Sequence, residues 1–324
     1  MTEAQWPKIG NETAIKFLAG ALANDKLAQA YVFVGPDDLG KSTIALAFAR
    51  NLQGQPAGFS SDLHILEPLP EQKGISIEAV REFIKILNLS SFNNSYKIGI
   101  IKEADTLSEE AKSALLKTLE EPKERVIIIL LIRDDSNLPA TILSRSQVLY
   151  FYPVSSGVIY DYLIDNQGAS RSLAKDLANL SLGRPLLALR LLENPADYEA
   201  YLTRASLWLT LLTTDVNARL TILDQIFKDK TWSKTARDTA NHIIDMAEGL
   251  ARDLILLNLG EKDRIQHLAI LKDLEQVGHK LSATSQPNPL VLILQQLKAA
   301  AQAREYLAGN VNPHLVLEQL VINY

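Results

Sequence analysis

One short stretch constrains this chain more than any other. Gly35-Pro36-Asp37-Asp38-Leu39-Gly40-Lys41-Ser42 matches the pattern G-x-x-x-x-G-K-[ST]. Before it, 31–35 reads YVFVG, a short apolar run ending in glycine; after it, 41–52 sets Ala and Leu at helical spacing. Strand, glycine loop and helix in that order form a cradle for phosphate. Backbone N–H groups of the loop and of the helix N-terminus surround phosphate oxygens. Lys41 would reach the β- and γ-phosphates, and Ser42 would ligate Mg²⁺. Gly35, Gly40, Lys41 and Ser42 are therefore the candidate nucleotide-binding residues.

Two features of the chemistry argue against an active site. Asp37 and Asp38 put two carboxylates into a loop built for a polyanion. Loops of this subtype usually carry glycine where Asp38 sits; aspartate tolerates left-handed backbone better than most residues, yet adds charge and bulk. The metal-ordering acid is expected after a neighbouring strand. That strand is 97–101, KIGII, and the residues after it are Lys102-Glu103-Ala104-Asp105. Lys102 stands where the acid belongs, and a positive charge beside Mg²⁺ turns attraction into repulsion. Glu103 and Asp105 keep carboxylates nearby. The residues leave an occupied loop and an empty one both standing, so ATP with Mg²⁺ is a candidate cofactor but not a required one.

The rest of the first half alternates. Strand-like runs at 62–67, 97–101, 125–132 and 147–152 are separated by helical segments, with Ser76 and Ser108 at N-cap positions and Glu109 and Glu110 in a first turn. Such alternation predicts a mostly parallel sheet with helices on both faces. Segment 125–132 (RVIIILLI), apolar throughout its last seven residues, predicts a central strand buried on both faces. Beyond Pro153 helical periodicity fills 156–194, 197–213, 216–229, 233–259, 262–281, 290–307 and 313–322. The expected architecture is an α/β phosphate-loop domain at 1–153, a small helical lid at 154–205 and an all-α domain at 206–324.

Composition excludes several classes. The 324 residues contain no cysteine, so disulfides, thiolate zinc sites and cysteine nucleophiles are ruled out. The five histidines are dispersed and suggest no joint metal site. A net charge of −5 weighs against a stand-alone nucleic-acid binder. The longest apolar run, 126–132, is far short of the roughly 20 residues of a membrane helix. The N-terminus lacks the basic start and apolar core of a signal peptide. A cytoplasmic protein with no membrane partner is expected.

Four segments, in order and spread over most of the chain, then carry a resemblance. Gln29–Pro36 (QAYVFVGP) is similar to the H-A-Y-L-F-x-G-P segment of bacterial clamp-loader subunits. Ser113–Pro122 (SALLKTLEEP) is close to their N-A-L-L-K-T-L-E-E-P helix, and Leu138–Ser146 (LPATILSRS) to their L-P-x-T-I-L-S-R-C segment. Asn310–Glu318 (NVNPHLVLE) resembles the N-x-N-x-x-L-x-L-E ending common in delta-prime subunits. The chain thus resembles the subunits of the DNA polymerase III clamp loader, which are AAA+ proteins. Two types compete, the gamma/tau motor and delta-prime. Lys102 breaks the metal site; Ile132-Arg133 falls where a polar sensor is expected; and Leu186 falls where the motor's sensor arginine would lie, three residues after Gly183, with Arg184 displaced. These departures favour delta-prime.

That resemblance implies a ring subunit whose C-terminal helices join a collar. Its partners would be the motor and delta subunits and, through the assembled complex, the sliding clamp and primer–template DNA. It also implies that Arg145 acts in trans, as an arginine finger on ATP held by a neighbour. The plainer alternative is an arginine paired with a nearby carboxylate. Many relatives insert a four-cysteine zinc module between Asn51 and Asp62; here that stretch is short and cysteine-free, so no zinc is expected. The rival functions are a self-sufficient motor-type ATPase and an AAA+ adaptor outside replication.

Overall fold

The computed structural model describes residues 5–54, 61–69, 74–89, 96–121, 123–228, 235–283, 289–309 and 311–322. Within the stretch between Asn51 and Asp62, where no zinc is expected, residues 55–60 lie outside the described residues, as does Pro122. The chain divides into two compact units, 1–158 with 183–186, and 159–182 with 187–324.

In the first unit the elements run α1 (Glu12–Ala23), β1 (Ala30–Val34), α2 (Lys41–Gln53), β2 (Leu63–Leu66), α3 (Ile77–Leu87), β3 (Lys97–Ile101), α4 (Glu109–Glu120), β4 (Val126–Ile132), α5 (Ala140–Leu143) and β5 (Gln147–Tyr150). The five strands form one sheet in the order β2-β3-β4-β1-β5, and every pairing is parallel. The continuous apolar run of β4 is buried at all seven positions, as a strand covered on both faces must be. Its side chains alternate between two cores. Ile127, Ile129 and Leu131 join Phe33, Ile44 and Phe48 on the face covered by α1 and α2. Ile128, Leu130 and Ile132 join Val80, Phe83 and Leu115 on the face covered by α3 and α4. The serine caps form as the sequence predicts: Ser76 accepts the N–H of Ala79 and Ser108 that of Ala111.

At Gly99, α3 lies close against the sheet. A Cβ there would lie 2.7 Å from Leu87 Cδ1 and 2.7 Å from Phe83 Cζ. Gly99→Ala is therefore expected to destabilise the first unit by about 1–3 kcal/mol through overpacking, read as a lower urea midpoint with an unchanged slope.

The second half is helical throughout: α6 (Ser156–Asp165), α7 (Arg171–Leu180), α8 (Pro185–Glu193), α9 (Pro195–Leu211), α10 (Val216–Lys228), α11 (Ala236–Asn258), α12 (Leu271–Ala283), α13 (Pro289–Ala308) and α14 (Pro313–Ile322). Within the second unit, Trp208, Leu209, Ile243, Leu250, Leu254 and Leu317 centre one apolar core. Two segments differ from expectation. The periodicity of 156–194 resolves into three helices, because Ser170 caps α7 through the N–H of Leu173 and Pro185 opens α8. The 262–281 segment begins as two three-residue 3₁₀ turns, and α12 starts only at Leu271. The cause is Asp253 on α11. Its fully buried carboxylate accepts the N–H groups of Gln266 (2.9 Å) and His267 (2.8 Å), which a continuous helix would commit to its own carbonyls. His267 Nδ1 also meets Asp253 at 2.7 Å, and its Nε2 pairs with the Tyr201 hydroxyl, 2.7 Å away.

No helix among the described residues is long and apolar enough to cross a membrane.

Candidate functional site

The phosphate loop stands at the carboxyl end of β1, where open parallel sheets place their ligands. Its entry is fixed by backbone: Gly35 N–H donates to Ile132 O (3.2 Å) and Phe151 N–H to Val34 O (2.7 Å). Gly35 has φ +146°, and a Cβ there would meet the Phe151 carbonyl at 2.4 Å, so only glycine fits. Asp38 sits at φ +62°, the left-handed conformation for which this loop subtype usually uses glycine. Gly40 then caps α2, and Lys41 and Ser42 open it. The four predicted loop residues are thus brought together.

Their chemistry is turned inward. Lys41 is 8% exposed. Its Nζ donates to the Gly35 carbonyl and, at 2.8 Å, to the Ile132 carbonyl. Burial lowers its pKa, opposed mainly by Asp37 and then Asp105. Asp37 Oδ1 is 4.0 Å from Lys41 Nζ, and Asp37 Oδ2 meets Arg133 Nε at 2.8 Å. For Arg133 the largest influence is burial, which acts downward, but Asp37, Asp105 and Glu103 together outweigh it and raise the pKa. The loop therefore carries its own carboxylate between two cations, the arrangement a bound phosphate would otherwise supply. From the far side, Leu186 N–H donates to the Asp38 carbonyl at 3.1 Å. The position of the motor's sensor arginine is occupied by a leucine whose backbone fastens the loop.

Lys102 does not approach the loop. It follows β3, one strand beyond β4, and its Nζ pairs with Glu67 after β2 at 2.7 Å. Asp105 is closer in effect, since its charge supports both Lys41 and Arg133. Its Oδ1 is buried without a hydrogen-bond partner among the described residues. No group of three or more potential metal ligands occurs among the described residues.

Arg145 stands apart. Tyr31 at the start of β1 is opposite Gln147, so Arg145 precedes the amino end of β5 while Gly35 follows the carboxyl end of β1. At about 3.3 Å per residue the two ends are on the order of 15–20 Å apart. Arg145 Nη2 pairs with Glu120 at the end of α4 (3.1 Å), and Nη1 donates to the Thr141 carbonyl (3.1 Å). The carboxylate partner of the plainer reading is thus present, while the Arg145 side chain remains 40% exposed. Asp37, Arg133 and Arg145 stand out in the sequence, but nothing local joins any of them to its partner, and Glu120 lies within the 113–122 segment with no role of its own.

Residues 10–155 match the family described as DNA polymerase III, delta subunit. Over 329 residues the chain is 29% identical to DNA polymerase III subunit delta' of Bacillus subtilis, covering 95% of this chain and 94% of that one. It is 34% identical over 137 residues to subunit delta' of Haemophilus influenzae, covering 41% and 40%. The Bacillus subtilis tau subunit is 33% identical over 168 residues, which span 47% of this chain but only 29% of tau. Among solved structures, a DNA polymerase III gamma subunit-related protein of Thermotoga maritima is 17% identical with a TM-score of 0.48, covering 96% and 97%.

The sheet, its phosphate loop and the helical half that follows place the chain in the AAA+ class of phosphate-loop proteins. Within that class, the similarity to delta-prime over almost the whole chain and the family match over 10–155 support a delta-prime subunit of the DNA polymerase III clamp loader.

Proposed function

We propose that this chain serves the clamp loader as a non-hydrolysing ring subunit that completes a neighbour's active site. It would assemble with gamma/tau-type motor and delta subunits in the cytoplasm and assist ATP-driven loading of the sliding clamp onto primed DNA. The observation that carries this reading is the separation of the two halves of a catalytic centre. Arg145 is exposed at the amino end of the sheet, too far from its own loop to serve it. A finger so placed acts on nucleotide held by another subunit. The collar role of 206–324 and the lid role of 154–205 belong to the same proposal.

The loop of this chain supports the other half of the reading. Lys41 is engaged with carbonyls, Asp37 fills the place of an anion, and the metal-ordering position is Lys102. Removing the internal carboxylate is therefore expected to expose Lys41 and Arg133 to an added anion. Asp37→Ala should bind ATP about tenfold more tightly than the unmodified chain, as removal of one like charge near a polyanion implies. Titration calorimetry of both proteins checks this, and equal affinities would contradict it.

The assignment as a whole is tested by affinity capture of the tagged chain from its own cells. Recovery of the motor and delta subunits is expected. A preparation without them, together with ATP turnover by the isolated chain, would favour the independent-ATPase alternative.

A further inference from the structure

An ion pair joins two of the segments that carry the resemblance, 113–122 and 138–146. Glu120 closes α4, and its Oε1 takes Arg145 Nη2 at 3.1 Å. From the other side the Thr141 carbonyl takes Nη1 at 3.1 Å. The guanidinium is therefore hydrogen-bonded at one of its five N–H donors and paired in charge with Glu120 at a second nitrogen, which leaves donors to meet an incoming anion. A bidentate carboxylate would have closed the fork; Glu120 touches it at one nitrogen. Both side chains are about half exposed, at 40% and 45%, and a pair this wet contributes little to stability. Its effect is geometric. A long side chain free in water must give up its rotamer freedom when the phosphate arrives, whereas one ordered beforehand does not.

We propose that Glu120 is a positioning residue for Arg145. Its carboxylate sets the guanidinium, already in the free subunit, in the orientation from which it meets the phosphates of nucleotide on a neighbouring subunit. This rests on the reading of Arg145 as acting in trans. Glu120 touches no substrate and works only through the arginine. It does not compete with the phosphates, because one half-exposed carboxylate is a weaker partner for a guanidinium than a polyphosphate offering several charged oxygens.

The test uses the whole complex, reconstituted with motor and delta subunits and assayed for ATP turnover with clamp and primed DNA. Five versions of this chain are compared: unmodified, Glu120→Ala, Glu120→Gln, Arg145→Ala and the Glu120→Ala/Arg145→Ala double variant. Glu120→Ala is expected to lower kcat about threefold or more with KM for ATP unchanged, since the nucleotide sits on the neighbour's loop. On the Arg145→Ala background it should do nothing further. Glu120→Gln, which keeps an acceptor oxygen, should recover part of the rate; it also carries the test if the alanine variant fails to assemble. Three results would overturn the proposal. Normal turnover in the Glu120 variants alongside a loss in Arg145→Ala would remove Glu120 and leave the trans reading intact. Normal turnover in Arg145→Ala would remove both. A further loss from Glu120→Ala on the Arg145→Ala background would mean that Glu120 acts by another route.

Discussion

Under the proposed trans role, Arg145→Ala is expected to abolish most of the hydrolysis at a neighbouring subunit's site while leaving this subunit folded and assembled. Arginine fingers contribute about 10³–10⁵-fold to phosphoryl transfer, because a permanently charged planar fork neutralises charge on the transferring group. The structure gives Arg145 the necessary freedom: it is exposed, it is held at only two points, and it lies well away from the chain's own loop. Loss of the Glu120 pair should alter stability by no more than about 1 kcal/mol, as for other exposed pairs. Single-turnover hydrolysis by the reconstituted complex, with clamp and primed DNA present, is the appropriate readout. Arg145→Lys should recover little, since a point charge lacks the fork. Undiminished stimulated hydrolysis in Arg145→Ala would refute the finger.

The largest effect on stability is expected at Asp253. This carboxylate is completely buried in the second unit. It accepts the N–H of Gln266 and the N–H of His267 and meets His267 Nδ1, and Arg252 Nη1 lies 3.9 Å away. Alanine at this position would take the carboxylate partner from two backbone donors and from His267 Nδ1. Each buried donor left unsatisfied costs roughly 1–3 kcal/mol, and removing one member of a buried charged network typically costs about 3–5 kcal/mol. Asp253→Ala should accordingly lower the unfolding midpoint of the helical half by roughly 10 °C or more. His267→Ala should cost less, because the carboxylate would keep its two backbone donors. Equal melting of Asp253→Ala and the unmodified chain would mean that the 3₁₀ turns after α11 are held by something else.

The particular elements that sequence disclosed, and those it hid, follow from the range of the forces involved. The seven apolar residues of β4 and the strand–loop–helix around Lys41 are contiguous, so periodicity and motif reveal them directly. The caps at Ser76 and Ser108 are equally local and form as expected. Asp38 was legible too: a position that usually takes glycine has indeed adopted left-handed backbone. By contrast, the start of α12 depends on a carboxylate one helix earlier, which no window centred on 262–281 contains. The closure of the loop depends on Arg133 after β4 meeting Asp37 after β1, an encounter created only when β4 lies beside β1 in the sheet. Glu120 and Arg145 come together for a similar reason, at the amino ends of β4 and β5, which flank β1 on either side. The residue types in each pair were visible from the start; the pairing was set by strand order.

The central claim is that this chain is a working part of a clamp loader. It is tested most directly by loading of a labelled clamp onto primed DNA by motor and delta subunits, with and without this chain. The account predicts that loading requires the chain and that Arg145→Ala restores assembly without restoring the rate. Loading that proceeds equally fast in its absence would contradict it.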